Sequence, residues 1–258
     1  MISRMASGTG PKTGDLILAA AFAVAFSIGF VNDSEAFGRR RNMPAFEDGR
    51  GVAPPLVARF AIDDGGEFIL DQQGHEALIR FSDSPEVWAL SRSRGPRGDI
   101  IYKNDISEPM LRATRLGGMT VFTTKRPEGA AAALLGPAMP VRLAPLGPAL
   151  LFQRLYQDSV RSSRAAQHQI EFDAPDADVN SDGLIADAAA AVVEAMINLS
   201  GRPGGRAILA RLGSVAIGQA GRSAVVLRGR VVSITVNPSL GYAGRPSSDR
   251  ILMALGAR

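Results

Sequence analysis

Two different hydrophobic periods within one chain predict an α+β fold, with an N-terminal antiparallel β sandwich or small barrel followed by a helix-rich α+β region containing a small sheet. Between residues 56 and 126, short apolar runs recur every 8 to 12 residues, with glycine, proline or Asp-Gly between them. From residue 149 the apolar spacing turns helical before alternation returns near the C-terminus. The stretch 127–148 between them is rich in alanine, proline and glycine and reads as a linker.

The β domain, 56–126, is read from its turn chemistry. VARFAI and EFILD flank DDGG, a hairpin signal with Asp64-Gly65 at the turn. ALIRF and EVWALS flank SDSP, GPRG leads into DIIYKN, and LRATRL and MTVFTT flank Gly117-Gly118. In the α+β domain, 149–258, Pro148 precedes a helix carrying Leu151, Leu155, Tyr156 and Val160 near helical spacing. LIADAAAAVVEAMINLS forms a second helix, ended by Gly201 with Pro203 behind it. RAILARL reads as a short helix, while SVAIGQ, AVVLR and VVSITV read as strands. Ser247 or Ser248 caps a last helix, SDRILMAL, with Pro246 ahead of it.

The first 36 residues read as a secretory signal peptide. Arg4 and Lys12 precede the unbroken apolar run LILAAAFAVAFSIGFV, and Ser34 and Ala36 supply small side chains three residues and one residue before a cut at Phe37. The competing reading is an uncleaved inner-membrane anchor, because the run approaches bilayer-spanning length. A polar tail, 37–55, follows. The expected location is therefore periplasmic or secreted, with membrane association only if the segment is retained.

Net charge is +4, and past residue 36 the only lysines are Lys103 and Lys125, so the positive charge is carried by arginine. Such a basic excess suits an anionic envelope component, or another envelope protein, as partner. No basic stripe interleaved with aromatics is present, which argues against nucleic acid. The chain has no cysteine, which excludes disulfides, thiol catalysis and thiolate metal sites.

Candidate chemistry is sparse. His75 is followed by Glu76, but no second histidine completes an HExxH pattern, and His168 is expected on an exposed helix face. GxSxG and SxxK signatures are absent. Asp63, Asp64 and Glu67 offer paired carboxylates but fall in a predicted hairpin turn. The sharpest motif is DADVNSDGLIADA, where Asp178, Asn180 and Asp182 occupy alternate positions before Gly183, as in the entry half of a calcium loop. Position 12 is Ala189 rather than a bidentate carboxylate, so the expectation is at most a weak calcium site, and otherwise a helix cap. No other cofactor and no catalytic residue is read from the chain.

RFAIDDGGEFILD, SPEVWAL, GPRGDIIYKND, EPMLRATRLGG and the late GRPSS together resemble an exported alphaproteobacterial family catalogued as a domain of unknown function. The resemblance implies export and a bacterial source but supplies no activity. The functional expectation is a non-enzymatic binding or structural protein of the envelope. The alternative is a periplasmic hydrolase whose catalytic residues are dispersed along the chain.

Overall fold

Eight antiparallel strands, each hydrogen-bonded to the next, close into a barrel: β1 (Val57–Ile62), β2 (Glu67–Asp71), β3 (Ala77–Phe81), β4 (Val87–Arg94), β5 (Ile100–Lys103), β6 (Pro109–Ala113), β7 (Met119–Thr123) and β8 (Arg126–Pro137). This computed structural model describes residues 55–63 and 65–256. The signal segment 1–36, all of the 37–55 tail but its last residue, and Asp64 lie outside the described residues. The described residues form one compact unit.

Of the two β architectures the sequence allowed, sandwich and barrel, the structure has the barrel. Closure comes from β8, which pairs with β1 from Ala58↔Pro137 to Ile62↔Ala132 and leaves neither strand as a free edge. The stretch expected as a linker, 127–148, therefore divides. Residues up to Pro137 complete the barrel wall, and only 138–147 connect. Its small residues misled the reading because they fit a crowded wall. A Cβ on Gly129 would come within 2.6 Å of Thr120 Cγ2 and 2.9 Å of Phe122 Cε1, and its φ of +95° favours glycine as well. Inside, Phe60 stacks on Phe68 at 5.1 Å, Phe81 follows at 5.8 Å, and Trp88 meets Phe81 edge-on at 5.6 Å. Leu70, Ile79, Leu90, Tyr102, Leu111 and Val121 fill the rest of the interior.

The strand directions define two rims. The first holds the entry to β1, the exit from β8 and the loops 71–77, 94–100 and 113–119; the second holds the turns near 62–67, 81–87, 103–109 and 123–126.

The rest of the chain builds a second core. A four-stranded sheet runs in the order β11 (Ala224–Arg228), β12 (Val231–Val236), β10 (Ser214–Gln219) and β9 (Glu171–Asp173). β10 is parallel to both neighbours, and β11 is antiparallel to β12. Helix α2 (Asp182–Ser200) contacts β10 and β12, and α1 (Pro148–Ala166), α3 (Gly205–Leu209) and α4 (Ser248–Ala254) contact α2 in turn. Because it is enclosed by these neighbours, α2 is apolar on most of its surface, with eleven of its nineteen residues buried. Strand β9 is three residues long and escaped the sequence reading, since so short a run shows no period.

Candidate functional site

The chemistry-bearing side chains gather where the outer wall of β4 meets the second core. The chain arrives there through a 3₁₀ segment, Pro238–Gly244, whose entry is capped by Asn237 accepting from Ser239 N. Gly244 is fixed by sterics, because a Cβ there would overlap the Asn237 carbonyl. The next residue, Arg245, is thereby driven into the seam, where its side chain is only 2 % exposed.

Arg245 makes contacts in every direction its planar fork allows. Nε donates to Asp187 on α2, Nη2 donates to the Val87 carbonyl at 2.7 Å, and Nη1 donates to the Pro246 carbonyl at 2.9 Å and to Glu86 Oε1 at 3.4 Å. Glu86, equally buried, also accepts from Ser248 N at 2.8 Å. Asp105, in the β5–β6 turn, accepts from Ser247 N at 3.0 Å and from Ser247 Oγ at 2.5 Å. Ser247 in turn caps α4 by accepting from Arg250 N, and Asn104 donates to Asp249 in the first turn of that helix. The cap predicted at Ser247 or Ser248 is thus Ser247, and the same hydroxyl reaches the barrel.

Burial pushes the Glu86 carboxyl up from 4.5 to about 7, although Arg245 and the Ser248 N–H both favour the charged form. Burial disfavours the charge on Arg245 as well, but Asp187 and then Glu86 outweigh it and raise its affinity for the proton. Tyr242 donates to the Arg142 carbonyl at 3.1 Å and is held at about 12 by burial and by Asp187. Beside the seam is a cleft of about 160 Å³ lined by Glu76, Ser91, Asn104, Asp105, Tyr242 and Arg245 among others. Most of its polar side chains are already engaged by protein partners, so the arrangement is suited to joining two layers.

The residues singled out from sequence lie elsewhere. Asp178 Oδ1 accepts from Asn180 N at 2.9 Å and Ser181 N at 3.0 Å, which holds its carboxyl below the usual range. Asn180 is exposed. Asp182 is buried, with Oδ1 accepting from Leu146 N at 3.2 Å and from Gly183 N, while Oδ2 is buried without a partner. Helix α2 already begins at Asp182, so Gly183 sits in its first turn rather than at a sharp bend. Glycine is needed there because a Cβ would overlap the Ala144 carbonyl. Among the described residues, no group of three or more His, Asp or Glu side chains is placed to hold a metal ion.

Asp63 is exposed, and Glu67 faces Arg59 at 3.8 Å. His75 is a surface residue beside Glu76. His168 lies just past the end of α1 rather than on an exposed helix face, and its ring bridges the Ala166 and Leu212 carbonyls at 3.0 and 2.8 Å.

Sequence reasoning missed Glu86, Asp105, Asp187 and Arg245 as a group, because up to 159 residues separate the partners. A signal did exist: SPEVWAL, GPRGDIIYKND and GRPSS carry the family resemblance, and each contributes to the seam. No curated protein and no solved structure matches the chain. Residues 40–255 match the family model described as a domain of unknown function, DUF4908, a span that includes both cores and the seam between them, and the chain belongs to that family.

Proposed function

We propose that this chain is an exported envelope protein that works by binding or supporting another envelope component rather than by catalysis. The observation that supports this reading most directly is the seam itself. The ionisable side chains that folding gathers there, Glu86, Asp105, Asp187 and Arg245, are engaged with one another, with Ser247 and with backbone groups of two layers. A network centred on a buried and satisfied pair such as Arg245 and Glu86 holds a particular arrangement of elements in place. What they fix here is a rigid body made of a closed barrel and an α/β layer, which suits a module that presents a surface.

Export is tested by expressing the full gene in a secreting bacterium and measuring intact mass in the periplasmic and envelope fractions. The expected product begins at Phe37 and is found outside the cytoplasm. A cytoplasmic protein retaining Met1 would overturn the export half of the proposal. Turnover of ester, amide or glycoside substrates that is abolished by a substitution in the seam cleft, with folding intact, would overturn the other half.

A further inference from the structure

The two rims of the barrel differ in charge and in polarity. On the second rim Asp63, Glu67, Asp83, Asp105, Glu108 and the buried Glu86 outnumber Lys103, Lys125 and Arg126. On the first lie Arg92, Arg94, Arg97, Arg112 and Arg115, and its acidic residues are largely withdrawn. Asp71 and Asp99 are each only 5 % exposed; Asp71 accepts from Val141 N and Gln73 N, and Asp99 pairs with Arg112 at 2.5 Å. Glu76, the third, is half-buried beside His75.

Register places the arginines close together. Arg94 on β4 is opposite Ile100 on β5, Ile100 is opposite Ala113 on β6, and Ala113 is opposite Met119 on β7, so one row crosses the rim. Arg97 is in the loop just above this row, and Arg115 in the next loop packs its Cδ 3.8 Å from where a Cβ on Gly98 would stand. Arg92 reaches across to the Gln72 carbonyl at 3.2 Å. Arg97 holds φ at +59°, a conformation that costs an arginine more than a glycine. Arg92, Arg94, Arg97 and Arg115 are all exposed.

Apolar side chains stand on the same rim. Leu116, at the tip of the β6–β7 hairpin, is 97 % exposed, and Met139, just past β8, is 81 % exposed. Leu56 before β1 and Ile100 are exposed as well. A leucine projecting fully into water beside arginines finds favourable surroundings where an anionic layer overlies a hydrocarbon one. A soluble polyanion would satisfy the arginines and leave Leu116 and Met139 in water.

We infer that the first rim of the barrel docks onto the surface of an anionic lipid bilayer, with the 94–100 and 113–119 loops at the headgroups and Leu116 inserted below them. The inference rests on the reading of the chain as an exported envelope protein, since that location brings it to such a surface. Each arginine near a charged bilayer strengthens partition severalfold, and the effect fades as salt screens the surface potential.

The test is co-sedimentation of the 52–258 unit, which contains both cores, with large unilamellar vesicles of phosphatidylcholine alone or mixed with phosphatidylglycerol. The full chain is run beside it. The 52–258 unit should bind the anionic vesicles, ignore the neutral ones and be released by half-molar salt. The variant Arg94→Gln/Arg97→Asn/Arg115→Gln should lower partition about 100-fold, and Leu116→Ser about tenfold. Lys103→Gln/Lys125→Gln, on the opposite rim, should leave it unchanged, with circular dichroism confirming that all variants fold. Equal binding to neutral vesicles, or anionic binding untouched by the first-rim variants, would overturn the inference. So would retention on an acidic polysaccharide resin with no vesicle binding. An exported chain that ignores vesicles removes this inference and leaves the proposed function standing; a cytoplasmic chain removes the proposed function whatever the vesicles show.

Discussion

Replacing Arg245 with methionine should strip the seam of its buried cation while keeping similar volume. Glu86, 2 % exposed at its side chain, would be left with only the Ser248 N–H and residual interactions at longer range. The Val87 and Pro246 carbonyls would lose their guanidinium donors, and Asp187 its partner. Breaking a buried pair by removing one member costs about 3–5 kcal/mol. A domain's total stability is about 5–15 kcal/mol, so the variant should be folded but much weakened. Urea unfolding at pH 8 measures the loss, and Trp88, the only tryptophan, reports it from the residue next to Val87. Two controls separate charge from packing. Adding Glu86→Gln should recover part of the loss, because the buried charge is gone. Lowering the pH to 5 should also shrink the loss, because Glu86 takes up a proton there. A loss under about 1 kcal/mol, equal at pH 5 and pH 8 and unaffected by Glu86→Gln, would refute the idea that Arg245 locks the two layers.

Further predictions rest on other residues. Burial raises Glu86 to about 7 and Asp158 to about 6, both above their unfolded values, so the folded state binds these protons more tightly and stability should fall as pH rises from about 4 to about 7. Asp158→Asn should flatten part of that fall and add about 1 kcal/mol at pH 8, measured by urea midpoints across the range; a steeper fall in the variant would contradict it. Gly183→Ala should cost about 2 kcal/mol or more, because the Ala144 backbone stands where the new Cβ must go, and thermal unfolding should show the loss clearly. Asp178→Ala should lower the unfolding temperature by the same amount in millimolar calcium and in chelator, because its carboxylate accepts from Asn180 N and Ser181 N. A calcium-dependent shift in the wild type that disappears in the variant would establish an ion site there instead.

Elements whose cause is local can be read from the chain alone. Period-two runs around Asp-Gly and Gly-Gly turns placed most of the barrel strands, and Ser247-Ser248 ahead of an apolar helical run placed the cap of α4 to within one residue. The absence of cysteine settled that neither core depends on disulfides. Tertiary structure decided whatever depends on partners distant in the chain. The alanine-rich run up to Pro137 becomes a strand because β1 and β7 lie on either side of it and Ala130, Ala132 and Leu134 pack against the barrel interior, and composition alone cannot show that neighbours will be there. Gly183 is a helix residue pressed on Ala144, although the motif around it resembles a bend. Arg245 meets Glu86 and Asp187 across 159 and 58 residues of chain, so the seam has no linear signature. The polarity of the rims is likewise a product of folding, because the up-and-down order of the strands brings the 94–100 and 113–119 loops to one end and the acidic turns to the other, sorting charges that alternate along the chain.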